Sequence, residues 1–194
     1  MRGKPGSADT TFGAAGVVDL PLAGLYTSVS AVDIDSQGRV TVLVIDGNGD
    51  KGVLRLTAGG LPDATFGTNG LAAVAAGVLE AVSVTDAGEV LIASTPNPAS
   101  PTSTLLRLLP NGKLDGSFGA SGEVSPQYGV IGTHRPRRCQ LLADGRAIVA
   151  EDAGAEWVVA RLTAKGALDT AFGGAGFVRG RRAELHRRGA KSRH

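Results

Sequence analysis

Four aspartates, Asp9, Asp63, Asp115 and Asp169, recur along the chain, and a repeated carboxylate is a residue type that can bind metal ions or take part in acid–base chemistry. Each precedes a Phe-Gly pair. In a turn of this kind, an Asp side chain accepts hydrogen bonds from nearby backbone N–H groups. We therefore expect these carboxylates to stabilise turns rather than to perform catalysis.

The aspartates belong to the motif Gly-x-x-Asp-x-x-Phe-Gly-x-x-Gly, which occurs four times without gaps. Four of the five phenylalanines of the chain occupy its Phe position, and their successive spacings are 54, 52 and 54 residues. Such a fixed period indicates a repeat protein. The shared motif residues are Asp9, Phe12, Gly13 and Gly16; Asp63, Phe66, Gly67 and Gly70; Asp115, Phe118, Gly119 and Gly122; and Asp169, Phe172, Gly173 and Gly176.

Alternating apolar residues between the turns predict the strands that position this motif. Each repeat has a hairpin around a glycine (Gly38, Gly88 and Gly145) and a strand that carries an Arg-Leu pair (Arg55, Arg107 and Arg161). A short apolar run after each Phe-Gly turn adds a fourth strand. The Ala-rich stretch 71–82 has helical propensity, but its register with the other repeats favours strands.

We therefore predict an all-β fold, a β-propeller-like array of three four-stranded antiparallel blades that forms an incomplete propeller. The repeats are predicted over 6–60, 60–112 and 112–166, with a fourth turn at 166–178, so that residues 1–178 form the repeat domain. The repeated arginines are expected to pair with the motif aspartates across blades.

The motifs resemble those of the bacterial delta-60 repeat family. The segments Leu168-Asp-Thr-Ala-Phe-Gly173, Ala143-Asp-Gly145-Arg and Ala160-Arg-Leu162 are similar to its turn, hairpin and strand, and the resemblance covers roughly residues 6–178. It implies a propeller-like fold, frequent in large exported or cell-surface proteins. It implies no catalytic residues.

Three blades are too few for a closed propeller, which needs about four to eight. Because the slot of the repeated arginine falls on Met1, the sequence predicts a segment of a longer array. The alternative is self-association of two three-blade halves into a dimer.

The distribution of charged and apolar residues limits the classes to which the protein can belong. Residues 179–194 contain seven Lys or Arg and one Glu, which predicts a basic, disordered tail and leaves nucleic acid as a disfavoured partner. No run is long and apolar enough for a membrane span, and Met1 is not followed by the apolar stretch of a signal peptide. The compartment stays open.

A calcium loop is one alternative for Asp46, Asn48 and Asp50, whose spacing matches the oxygen ligands of such loops. Lys51 stands where an EF-hand loop needs Gly, so a hairpin connection is favoured. The Gly47-x-Gly49-x-x-Gly52 spacing also matches a dinucleotide fingerprint, but a strand, not a helix, is predicted to follow.

Three further features have structural interpretations. Cys139 and His134 are residue types of a nucleophile and its base, but Val32 and Val82 fill the Cys139 slot in the other repeats, which predicts a buried apolar position. For Trp157, near the start of a predicted strand, packing at a blade edge is favoured over contact with a ligand. The basic run from His134 to Arg138 occurs in one repeat only.

The sequence thus predicts a non-enzymatic repeat scaffold for protein or carbohydrate binding, with no catalytic or cofactor-binding residues. The alternative is a hydrolase or lyase whose site lies on a propeller face.

Overall fold

The structure, a computed structural model, describes residues 6–19, 26–96, 102–130 and 132–181. These residues form β-strands joined by turns, and none of them belongs to a helix that could cross a membrane. The strands are β1 (Tyr26–Ile34), β2 (Val40–Asp46), β3 (Lys51–Leu56), β4 (Leu71–Ala73), β5 (Val78–Val84), β6 (Val90–Thr95), β7 (Thr104–Leu108), β8 (Glu123–Val124), β9 (His134–Leu141), β10 (Ala147–Ala153), β11 (Glu156–Leu162) and β12 (Phe177–Arg181).

The strands form three separate four-stranded antiparallel sheets, each in simple chain order. The first blade contains β1–β4, the second β5–β8 and the third β9–β12. The predicted fold class, an all-β array of three propeller-like blades, is therefore confirmed. The hairpin glycines adopt positive φ in each blade, at +78° for Gly38, +89° for Gly88 and +79° for Gly145. This backbone conformation explains why the same slot holds glycine each time.

The blades stack face to face, and their first strands contact one another. The backbone N–H of Val84 donates to Asp33 Oδ2 (2.8 Å), and that of Leu141 donates to Ser83 Oγ (3.0 Å). A bulge interrupts the pairing of the first two strands in each blade, and Pro136 lies at this bulge in β9. A proline is tolerated there because the hydrogen-bond ladder is already interrupted.

Two apolar cores lie between the blades. At the first boundary, between the first and second blades, Leu43 and Val53 pack with Leu79 and Ile92. At the second boundary, between the second and third blades, Leu91 and Leu105 pack with Cys139, Leu141 and Val149. Two of the four motif phenylalanines belong to these cores, because Phe66 is buried in the first and Phe118 in the second.

Each sheet begins in the middle of a sequence repeat and ends with the short strand after the next Phe-Gly turn. The Ala-rich stretch forms β4 and the start of β5, as its register predicts. The turn at residues 6–18 precedes the first sheet and contains only an isolated bridge between Ala14 and Val17. At the other end, β12 continues to Arg181, three residues into the predicted basic tail, and residues 182–194 lie outside the described part of the chain.

Candidate functional site

The Asp-x-x-Phe-Gly turn holds its aspartate in a fixed set of hydrogen bonds. Asp63 Oδ1 accepts the backbone N–H of Thr65 (3.0 Å) and its hydroxyl (2.6 Å), and Asp63 Oδ2 accepts Arg55 Nε (2.8 Å). Gly67 has φ of +56°, and a Cβ there would overlap the carbonyl oxygen of Leu71. Glycine is therefore required by both conformation and space at this position.

The repeated arginine pairs with the aspartate of its own blade, so the expected pairing across blades is wrong. Arg55 lies on β3, and the turn that carries Asp63 leads into β4 of the same sheet. The remaining guanidinium nitrogens do cross the first boundary, since Nη1 donates to the carbonyl of Gly88 (3.1 Å) and Nη2 to that of Pro110 (2.7 Å). The guanidinium carbon also lies 4.4 Å from the centroid of the Phe66 ring.

The second blade repeats this arrangement around Arg107. Its Nε donates to Asp115 Oδ2 (2.7 Å), its Nη1 donates to the carbonyl of Gly145 in the third blade (3.1 Å), and its guanidinium lies 4.6 Å from the ring centroid of Phe118. In the third blade Arg161 pairs with Asp169 and lies over Phe172 at 5.0 Å. In the first and second blades the motif therefore links a turn, a strand and the neighbouring blade.

The surroundings of Asp63 and Asp115 favour the ionised form of both carboxylates. Burial opposes ionisation of Asp63 and Asp115, but hydrogen bonds from Thr65 and Ser117 and the adjacent arginines outweigh it, and the pKa of both aspartates is lowered. Burial lowers the pKa of Arg55, and Asp63 offsets part of this effect. Each boundary consequently holds a charged pair whose arginine also donates to a backbone carbonyl of the next blade, that of Gly88 or Gly145.

The axial groove lies where β1, β5 and β9 meet, and we define it by Asp33, Glu80, Arg137, Arg138 and Gln140. It has a volume of about 230 Å³. The two arginines are exposed, Glu80 is half-buried, and Arg137 Nε donates to Asp152 Oδ2 (2.6 Å). Charges of both signs from three first strands thus face one open groove, which suits a polar ligand.

A buried polar cluster lies at the second boundary, and the sequence analysis missed it. Glu151 Oε1 accepts the hydroxyls of Ser103 (2.5 Å) and Tyr128 (3.0 Å), and Glu151 Oε2 bonds His134 Nδ1 (2.9 Å). All four side chains are buried. The other His134 nitrogen faces the carbonyl oxygen of Val130 at 3.4 Å, an arrangement that a protonated imidazole satisfies at both nitrogens.

Burial and hydrogen bonding shift the pKa of two side chains of this cluster, His134 and Tyr128. The hydrogen bond to Glu151 raises the pKa of His134 despite its burial, while burial and the nearby Glu151 charge raise the pKa of Tyr128. The bonds of Glu151 join the β6–β7 connection of the second blade, through Ser103, to His134 on β9 of the third blade. The repeat alignment gives a signal for it, since Glu151 occupies the slot of Val44 and Ser94.

The loop predicted as a weak calcium candidate is the β2–β3 hairpin connection. Asp46 Oδ1 accepts the backbone N–H groups of Asn48 (2.8 Å) and Asp50 (2.8 Å), and Lys51 Nζ donates to the Gly49 carbonyl (2.9 Å). The carboxylate is thus turned towards its own backbone. Within the described ranges, no group of three or more His, Cys, Asp or Glu side chains is arranged to hold a metal ion.

The other sequence candidates lie apart from one another. Cys139 is buried, with Sγ 3.7 Å from the Leu91 carbonyl oxygen, and burial raises the pKa of its thiol to about 12. Trp157 on β11 is half exposed, opposite Gly180. The Gly47–Gly52 segment forms a hairpin that leads into β3, as predicted, instead of a helix N-terminus.

The comparison with protein families agrees with the fold. A family model described as "Domain of unknown function (DUF5122) beta-propeller" matches residues 40–66, which comprise β2, β3 and the turn up to Phe66. No curated protein matches the chain. The crystal structure of a subtype N11 neuraminidase-like protein of A/flat-faced bat/Peru/033/2010 (H18N11) is similar over 77% of this chain, with 15% identity and a TM-score of 0.46. The match covers 40% of that protein's chain.

The blades and the family match together define the class of the protein. It is an all-β repeat protein of the β-propeller type, with three blades in the described part of the chain.

Proposed function

We propose that the protein is a non-enzymatic propeller scaffold of the delta-60 repeat type that binds a protein or carbohydrate ligand in the axial groove. In this proposal residues 1–178 are a segment of a larger propeller, and exported or surface location follows from the family resemblance. The observation that carries the proposal is the convergence of Glu80, Arg137 and Arg138 on one open groove, while the repeated Asp, Arg and Phe residues are engaged inside the blade boundaries.

The chemistry of the groove suits recognition of hydroxyl and carboxylate groups. An exposed guanidinium presents several N–H donors in a planar array, and a carboxylate accepts hydroxyl donors. Arg138 and Glu80 supply one group of each kind. Sugars with acidic substituents and acidic peptides are the ligand classes that this combination favours.

The alternative function, a hydrolase or lyase on a propeller face, would need groups that reach a substrate. The Glu151 cluster has suitable residue types, but its side chains are buried at a blade boundary. Scaffold binding therefore accounts better for the exposed charged residues.

A binding screen with a matched pair of variants tests the proposal. Neutral and acidic oligosaccharides and acidic peptides are added to the full chain, and a ligand-dependent rise in melting temperature identifies the ligand. We expect Arg138→Ala to abolish the rise. Arg146→Ala should retain it, because Arg146 is paired with Asp144 on the β9–β10 hairpin outside the groove.

Two results would count against the scaffold. Ligand binding that survives Arg138→Ala unchanged would remove the axial groove as the site. Turnover of a glycoside, ester or peptide substrate by the purified chain would favour the enzyme alternative.

A further inference from the structure

At the first boundary, the turn that joins β1 to β2 contacts the turn that joins β5 to β6. The backbone N–H of Ser36 donates to Asp86 Oδ1 (2.9 Å). Gln37 Nε2 (2.9 Å) and Arg39 Nη2 (3.0 Å) both donate to the Asp86 carbonyl. An amide and a guanidinium of the first blade therefore fill the space between these two turns.

The second boundary has different residues in the same slots. Aligned on the hairpin glycines, three residues of the first boundary have these counterparts at the second: Ala87 for Gln37, Glu89 for Arg39 and Ala143 for Asp86. The β5–β6 turn (85–89) and the β9–β10 turn (142–146) are both fully described, and no hydrogen bond or ion pair joins them. The donors that link the first two turns are thus missing between the second and third.

A pocket of about 270 Å³ lies between these two turns, and we call it the turn pocket. Val84 and Leu141 form its apolar part and are 8% and 3% exposed, whereas Ala87 and Ala143 line it as exposed residues. Glu89 also lines the pocket. A carboxylate therefore stands where the first boundary has an arginine.

The acceptors at the turn pocket are incompletely satisfied. The Glu89 carboxylate receives one hydrogen bond, from Thr85 Oγ1 to Oε2 at 3.4 Å, and forms no ion pair in the described part of the chain. The Ala143 carbonyl is the counterpart of the Asp86 carbonyl, and no described residue donates to it. The two turns contain one cation, Arg146, which is paired with an aspartate of its own turn (2.7 Å). The pocket thus combines a negative charge with a free carbonyl acceptor.

We propose that the turn pocket binds an arginine side chain of a partner protein. The guanidinium donates one N–H to the Glu89 carboxylate and another to the Ala143 carbonyl. Its aliphatic part packs against Val84 and Leu141, as the stems of long charged side chains do on apolar surfaces. The partner supplies at the second boundary what the chain supplies by itself at the first.

The first boundary is the precedent for this recognition. Arg39 Nε donates to Asp35 Oδ2 (2.6 Å), a carboxylate of its own turn, while Nη2 donates to the carbonyl of the next turn. The same pair of acceptors, one carboxylate and one carbonyl, is present at the turn pocket. A guanidinium presents several N–H donors in one plane, whereas the ammonium of lysine is a compact point charge. The pocket should therefore prefer arginine to lysine.

The experiment titrates the full chain with a blocked amino acid and follows the backbone amide resonances of Glu89 and Ala143 by NMR. The probe is N-acetyl-arginine N-methylamide, for which we expect saturable shifts of both resonances at millimolar concentration. The citrulline analogue has the same shape but no charge and should bind about tenfold more weakly. The lysine analogue should also bind more weakly. Methylguanidinium, which lacks the aliphatic part, should bind more weakly than the arginine probe.

A pair of carboxylate variants separates the pocket from general attraction to negative charge. Glu89→Gln removes the charged acceptor and should weaken the arginine probe about tenfold. Glu123→Gln removes an exposed carboxylate of the same blade, on β8 and outside the pocket, and should leave the affinity unchanged. Neither glutamate is buried, so both variants should fold, which their melting temperatures would show.

A second pair of variants tests the pocket without changing the net charge. Ala87→Gln restores the side chain that Gln37 provides at the first boundary, and its amide should occupy the pocket and block the probe. Ala87→Ser leaves the pocket open and should retain binding. Ala87 is exposed and its slot already holds glutamine in the first blade, so both variants should fold.

Any one of four results would overturn the proposal: no saturable shift at millimolar probe, equal affinity for the citrulline analogue, equal affinity for methylguanidinium, or binding that Glu89→Gln and Ala87→Gln leave unchanged. The turn pocket does not depend on the axial groove. Arg138→Ala should leave the arginine titration unchanged, so a failure at one site is distinguishable from a failure at the other.

Discussion

Replacement of Arg55 by methionine tests whether the repeated Arg–Asp pair stabilises the packing of adjacent blades. Met keeps an unbranched side chain but removes the guanidinium. Asp63, whose side chain is 9% exposed, then loses its cation, and the carbonyls of Gly88 and Pro110 lose their donors. Removing one partner of a buried ion pair costs about 3–5 kcal/mol. The expected loss is thus a large share of the roughly 5–15 kcal/mol by which a domain is usually stable.

The chain provides its own control for this substitution. Arg161→Met changes the same motif in the third blade, where the arginine and Asp169 side chains are 23% and 16% exposed. Arg161 bonds Asp169 but, within the described residues, makes no hydrogen bond to a neighbouring blade like those of Arg55. We expect a cost of about 1 kcal/mol, because partly hydrated pairs contribute little.

The assay is urea unfolding followed by circular dichroism, with the free energies extrapolated to water. A difference of about 2 kcal/mol or more between Arg55→Met and Arg161→Met is expected. Arg107→Met, whose side chain is 6% exposed, should resemble Arg55→Met and gives the result if the latter does not fold. Equal losses at the buried and the partly exposed pair would refute the reasoning, since burial would then have no effect.

Three further predictions concern single residues. Gly67→Ala should cost about 2 kcal/mol or more in urea unfolding, because its φ is positive and a Cβ overlaps the Leu71 carbonyl, whereas Gly49→Ala, with positive φ and open space, should cost about 1 kcal/mol. The pKa of His134 is raised in the folded state, so its contribution to folding stability is fully present below about pH 6.5 and is lost as the pH rises through the folded-state pKa. Between pH 6 and 9, the midpoint of urea unfolding should therefore fall more in the wild type than in His134→Gln. The Cys139 thiol, with pKa about 12, should resist iodoacetamide at pH 8 until urea unfolds the chain, and rapid labelling of the folded chain would contradict its burial.

The fold was predictable because one signal occurs in every repeat. The phenylalanine slot, the hairpin glycine and the Arg-Leu strand recur in the same order in every repeat, so an ambiguous segment such as residues 71–82 takes its structure from its counterparts. The strands β4 and β5 confirm this inference. Local propensity alone favours a helix in that segment, and the register with the other repeats decides against it.

The side-chain partners were less predictable, for a geometric reason. Sequence offsets do not show which way a side chain leans, so the Arg55–Asp63 pair was expected across blades although it closes within one. The Glu151 cluster joins residues from the β6–β7 connection, the segment before β9, and β9 and β10, and its members occur in one boundary only. A charged residue in a slot that holds Val44 and Ser94 in the other blades was the one sequence signal of this cluster.

The contacts between adjacent blades have a consequence for how the molecule unfolds. Since, among the residues that the structure describes, the arginine bonds and apolar cores connect adjacent blades only, the array behaves as a one-dimensional chain of coupled units. The second blade is coupled on both faces and each outer blade on one. Slow amide hydrogen exchange should therefore concentrate in β6 and β7, and the molecule should open from its ends towards its centre.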